Sequence, residues 1–182
     1  LTFTGGLDTT GVGGQVNVGG TVGTDGAQMD LGAITLTATS ELLTDESTAA
    51  GAILNVGAVT GGNNQLTLDG GTGGAIGVTS IAAGGDLILT DSGGATFGAV
   101  NADAVTLTST TGTIAFQGVT TFDTGLTGSA DGYNLSFTGG TTTIAGDTNL
   151  THTGTLTLGD GGDTLTFTGG LDTTGVGGQV NV

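Results

Sequence analysis

The chain repeats its own beginning. Residues 1–18 read LTFTGGLDTTGVGGQVNV, and residues 165–182 read the same eighteen letters without a difference. The sequence therefore closes on itself, with residue 165 standing where residue 1 stood. Residues 1–164 form one repeat unit, and residues 165–182 start the next identical unit. A chain built this way must fold into something that can be continued, because whatever residue 164 packs against must also receive residue 165. Solenoids and fibres meet that condition; an ordinary closed domain does not.

The composition narrows the choice. Gly accounts for 41 of 182 residues and Thr for about 40, with no Pro and no Cys. Glycine without a G-X-Y period excludes collagen. Disorder is disfavoured because 35% of the chain is apolar, set in patterned runs of Val, Ile, Leu and Ala. There is no Lys or Arg, and the formal charge is −16. Only His152 offers the carboxylates a basic side-chain partner, so solvent cations must balance them. Nucleic acid and anionic membranes are repelled rather than bound. No apolar run approaches the roughly 18 residues of a membrane span. Without Cys there are no disulfides or thiolate metal sites. No leader peptide is recognisable, so targeting information is expected outside this segment.

Strand signals recur along the chain: ITLTA at 34–38, LTLDGG at 66–71, DLILTDSGG at 86–94, VTLTSTTG at 105–112, LSFTGG at 135–140 and LTLGDGG at 156–162. Apolar residues alternate with Thr or Ser, so one side of each strand faces a core and the other faces water. Gly, Asn and Asp break each run after four to six residues. Across the runs an apolar column can be drawn through Val16, Leu36, Val56, Ile76, Phe97, Phe116, Phe137, Leu158 and Val180. Its members follow one another at nearly even steps, and Val180 is Val16 of the next unit. This spacing predicts an all-β parallel β-helix with turns of about 20 residues, eight to a unit. At roughly 4.8 Å per turn a unit would add about 38 Å of rod. Phe97, Phe116 and Phe137 should stack as an aromatic ladder.

The run ATSELLTDESTAAGA, residues 38–52, stands apart. It holds both glutamates, Glu41 and Glu46, and the pair Leu42–Leu43. Its composition predicts a loop or short helical excursion around 38–52.

Residues 85–118, GDLILTDSGGATFGAVNADAVTLTSTTGTIAFQG, resemble the repeats of filamentous haemagglutinin-type surface proteins and other bacterial β-strand-repeat proteins of the cell envelope. The resemblance rests on G-D-L-x-L-T, A-x-A-V-T-L-T and G-T-I-A-F, which recur at the same nearly even spacing, and it extends loosely over the chain. It implies a right-handed β-helix, secretion, and adhesive or structural work at the cell surface. The long tandem unit and the lack of Lys and Arg depart from it. They shift the expectation from a receptor-binding adhesin toward a uniform fibre.

Candidate sites are sparse. Asp69, Asp131, Asp160 and Asp163 lie in Gly-rich turns where Ca²⁺ could find carboxylate and carbonyl oxygens. GGDTLT at 161–166 matches half of the nonapeptide calcium repeat. Asp beside Gly is also ordinary turn chemistry, and diffuse cation screening is the expectation. His152, the lone histidine, is flanked by Thr151 and Thr153, and its alternation with Leu150 places it on the Leu face or in a corner; it reads as a satisfied or surface side chain, since it has no Cys or second His to share a metal with. Two carboxylates could in principle cleave a sugar, but β-helix lyases also use basic residues, so no enzyme is expected. Phosphate cradling fails for want of a Lys and a helix start. The pairs Thr35/Thr37, Thr106/Thr108, Thr151/Thr153 and Thr166/Thr168 would suit an ice-binding face only if they shared one.

The expectation is a structural subunit of an extracellular fibre on a bacterial surface, whose partners are copies of itself stacked end to end. The competing reading is an adhesin stalk that binds a surface, glycan or cell through a loop at 38–52.

Overall fold

A computed structural model describes all 182 residues. It contains no helix: nineteen strands pair in one continuous sheet, every strand pair parallel. The sheet is coiled into a rod with three faces. Each turn runs along face A, bends to face B, bends to face C, and returns to face A one layer higher.

Inward residues stack in continuous columns. On face A the partners run Leu7, Met29, Leu54, Ile76, Ala95, Ile114, Leu135, Leu156, Val180. On face B they run Val16, Ile34, Val59, Ile81, Val100, Thr120, Thr142, Leu165. Face C carries Ser40, Leu66, Leu87, Val105, Leu126, Thr148 and Leu171. These columns merge in one core of 33 buried residues. The β-branched and Thr-rich strands suit this arrangement: the inner side chain meets its like above and below, and the outer Thr remains wet.

The expected aromatic ladder forms. Phe116 stacks on Phe97 and on Phe137, with ring centroids 5.1 Å apart in both pairs. Phe122 adds an edge contact at 5.4 Å from face B. Leu158 continues the ladder above Phe137, and Val78 and Val56 continue it below Phe97.

The rest of the predicted column does not hold together. Val16 and Leu36 belong to face B, whereas Val56 sits on face A above Leu31. Ile76 and Val180 lie on face A in the column neighbouring the Phe ladder. The jump between Leu36 and Val56 has a simple cause. The turn from Met29 to Leu54 is the longest step on face A, so an even step lands one face short.

The extra length lies in residues 44–53, the corner from face C to face A. The predicted excursion at 38–52 is therefore reduced to this corner. Residues 38–43 belong to the strand Ile34–Leu43, and no helical turn is present. The corner is tied down. Buried Thr44 donates from Oγ1 to the Ala52 carbonyl (2.8 Å) and receives the Ala52 amide (3.0 Å). Asp25 in the layer below receives the hydroxyls of Ser47 (2.5 Å) and Thr48 (3.1 Å).

Glycine is needed where corners stack. At the bend from face A to face B a Cβ on Gly98 would overlap the Thr79 carbonyl, and one on Gly139 would overlap the Gly118 carbonyl. Backbone meets backbone there, so a side chain would force the layers apart.

Candidate functional site

The point at which the eighteen-residue segment begins again, at Leu165, is the feature that sets this chain apart. It falls inside a strand: Thr164–Phe167 runs from the residue before the second copy into that copy's first three residues. That strand pairs in register with Thr141–Ile144 below it, from Thr141↔Thr164 to Ile144↔Phe167. No linker or break in the pairing precedes the second copy.

The two identical segments do not occupy the same faces. Thr2 and Phe3 pair on face C, with Gly23 and Thr24. Their counterparts Thr166 and Phe167 pair on face B. Leu7 lies on face A and its counterpart Leu171 on face C; Val16 lies on face B and Val180 on face A. If each stretch on one face is counted as a segment, so that strands rounding a corner, such as Val16–Thr24 and Gly94–Thr110, count as two or three, Thr164–Phe167 comes 23 segments after Thr2–Phe3. Three segments make a turn, so one unit is seven and two-thirds turns. The eight-turn unit expected from the sequence is a third of a turn too long, and the turns are correspondingly longer than the sequence spacing suggests.

Local structure survives the change of face. Asp8 receives the Thr10 amide (2.8 Å) and hydroxyl (2.7 Å). Asp172 receives the Thr174 amide (2.9 Å) and hydroxyl (2.7 Å). In both copies these hydrogen bonds, led by the hydroxyl, hold the carboxyl below its usual range.

The two copies also show opposite sides of the same segment. Residues 1–18 are covered above by residues 19–43 and bare below. Residues 165–182 are covered below and bare above. Val18 is 5% exposed and its twin Val182 is 100% exposed.

The comparisons add no relative. No protein family, curated protein or solved structure matches the chain.

The four candidate calcium ligands are not brought together. Asp160 and Asp163 share one turn, where Asp163 Oδ2 receives the Asp160 amide at 2.6 Å. Asp131 belongs to an earlier face C to face A corner, and Asp69 ends the strand Leu66–Asp69 on face C, where it receives the Gly71 amide. No three acidic or histidine side chains cluster as ion ligands. Instead Asp69 pairs across the ladder with Asp91. Burial raises both carboxyl pKa values, and Asp45 nearby adds repulsion.

The Thr pairs are dispersed as well. Thr35 and Thr166 lie on face B, Thr106 on face C, and Thr151 in a corner. They do not build one flat array.

His152 departs from its sequence reading. It is fully buried, and neither ring nitrogen meets a hydrogen-bond partner. Its ring stacks on Tyr133 at 4.8 Å, and the Tyr133 hydroxyl and Thr148 Oγ1 are unpartnered too. Burial lowers the His152 pKa, with a weaker opposing pull from the Thr155 backbone. Burial, then Asp131, pushes Tyr133 up to about 12. Its place on the Leu150 side is the one the alternation gives, and Leu150 is core; the departure is that the buried ring is unsatisfied.

Proposed function

We propose that this chain is a structural segment of an extracellular, cell-surface fibre in which identical β-solenoid units run on as one rod. The observation that carries this reading is the strand Thr164–Phe167, which crosses the unit boundary without interrupting the coil. Units joined in that way transmit tension through a continuous hydrogen-bonded wall, not through linkers. The wall carries no pocket with converging catalytic groups, and its uniform negative charge favours a soluble, non-sticky shaft. The resemblance of residues 85–118 to filamentous haemagglutinin-type repeats supports a bacterial surface setting.

The test is length. A chain extended by a second complete unit should image as a single unbroken rod. It should be longer than the present chain by about 37 Å, from seven and two-thirds turns of roughly 4.8 Å. Two beads on a flexible joint, or an added length far from this figure, overturns the reading.

A further inference from the structure

Face B carries no acid. Its rungs are residues 15–18, 33–36, 58–61, 80–83, 99–102, 119–122, 141–144 and 164–167. None holds an Asp or Glu, in a chain that has 16 of them and no Lys or Arg. Between residues 48 and 159 every acid lies on face C or at one of its two corners. The outward side chains of face B are small and uncharged. Val119, 57% exposed, stands near its middle, with Ala58, Ala82 and Ala99 on the rungs beneath.

The two long edges of this face differ. On the edge toward face C, Asp86, Asp103, Asp123 and Asp147 follow one another on successive rungs. On the edge toward face A the same rungs present Thr79, Gly98, Gly118 and Gly139, stacked backbone on backbone without a charge. These edges set the terms on which two copies can meet. Two flat faces related by a two-fold axis lying between them bring the rods together either antiparallel or parallel. Antiparallel rods place one row of aspartates against the partner's row, and like charges repel at close range. Parallel rods place each row against the partner's uncharged edge and leave both faces C on the outside.

We propose that face B is a lateral interface, and that its occupant is face B of a second copy lying parallel to the first. The apolar centre around Val119 leaves water, and no carboxylate row meets its like. Area is sufficient. The chain exposes 7225 Å², so one face of three offers roughly 2,400 Å², and covering a third of it on each copy buries about 1,600 Å² in all, a standard interface. The acidic face C of each copy stays outward and discourages a third rod, so the assembly stops at pairs. The contact runs along the side of the coil and involves neither end. It adds a side-by-side association to the fibre reading without depending on it, and its failure leaves the length test of the rod untouched.

The experiment uses the full chain, which has no Cys of its own, carrying Thr35→Cys on the second rung of face B or Thr143→Cys on the seventh. Those rungs lie about 24 Å apart along the rod. The two chains, one of them isotope-labelled, are mixed at physiological salt and treated with a short bis-maleimide; facing sheets are about 10 Å apart, within its span. Parallel pairs should link like with like, second rung to second rung and seventh to seventh. Val119→Asp in both chains should lower the yield about tenfold or more, because it sets like charges together in the contact. Thr106→Asp adds the same charge on face C and should leave the yield within about twofold, since it lies away from the contact and is screened. Far-ultraviolet circular dichroism checks that both Asp variants are folded. Dimers that join the second rung to the seventh overturn the proposal, because antiparallel rods give them. Equal losses from the two Asp variants overturn it as well, and so does a yield no higher than that of a Thr106→Cys chain. A chain that stays unlinked, yet is retained on an uncharged polysaccharide unless Val119→Asp is present, overturns the pairing and assigns face B to a glycan.

Discussion

Truncating Phe116 to Ala should damage this fold more than any other single truncation of an aromatic side chain. Phe116 has no exposed surface and lies between Phe97 and Phe137 at 5.1 Å on each side, with the edge of Phe122 at 5.4 Å. Loss of a buried Phe costs about 3–5 kcal/mol, depending on how far the surroundings can collapse. Here collapse is restricted, because the layers above and below are held apart by the hydrogen-bonded walls. The upper half of that range, about 4–5 kcal/mol, is expected. Phe116→Leu keeps most of the volume and forfeits the ring contacts, so it should cost about 1–3 kcal/mol. Phe3→Ala, in the half-covered bottom layer, should cost under about 2 kcal/mol, since much of that ring is already in water. A domain of this size has about 5–15 kcal/mol in hand. The Ala variant should thus remain folded in buffer and unfold at a much lower denaturant concentration. Because each layer contacts only its neighbours, the weak rung should also split the transition in two. Equilibrium urea unfolding followed by far-ultraviolet circular dichroism measures this, with Tyr133 fluorescence reporting the upper half. A Phe116→Ala cost no larger than that of Phe3→Ala would show that the ladder does not support the rod.

Two further outcomes follow from the charges. His152 is buried in its neutral form and its pKa is lowered from 6.5. Its contribution is therefore complete above about pH 6.5, and is lost as pH falls from there toward the folded-state pKa, by up to about 1.4 kcal/mol per pH unit. Asp69 and Asp91, with raised pKa values, act in the opposite sense at lower pH, but they are common to any His152 variant. Denaturant midpoints at pH 7.5 and 5.5 should show that His152→Phe, which keeps the stack on Tyr133, loses less stability on acidification than the parent; equal losses contradict the assignment. The charge of −16 without Lys or Arg sets Asp8 against Asp30 and Asp69 against Asp91 on adjacent rungs. Raising NaCl from 0.01 to 1 M shortens the screening length from about 30 to about 3 Å, so the melting temperature should rise by several degrees; a steady fall would mean that the repulsion is not felt.

Much of the architecture was legible because it depends on local alternation. The strands around Leu66, Leu87, Val105 and Leu135, the inward side of each, and the stacking of Phe97, Phe116 and Phe137 follow from which residues are apolar and how the runs are broken. The candidate site was less legible. Alternation with Leu150 places His152 on the inner side, but that its two nitrogens go unpartnered depends on which groups the neighbouring layers bring beside it. The four aspartates share a chemistry but not a turn. The stretch at 38–52 looked helical because Glu and Leu are good helix formers. Pairing of Ser40–Leu43 with Leu66–Asp69 and Gly20–Gly23 overrides that preference.

By itself the sequence determined that the chain is a coil of stacked parallel strands, that its strands face inward where they do, and that the eighteen duplicated residues take the same local form, Asp8 with Thr10 and Asp172 with Thr174, wherever they lie. Only the tertiary structure decided which face each copy occupies. That phase is the sum of all the corner lengths between them, and corners vary with side chains reaching across layers, as Thr44 and Asp25 do around residues 44–53. A period read from spacing averages over those corners; the hydrogen-bond register counts them one at a time, and it finds seven and two-thirds turns in the unit that the duplicated segment begins and repeats.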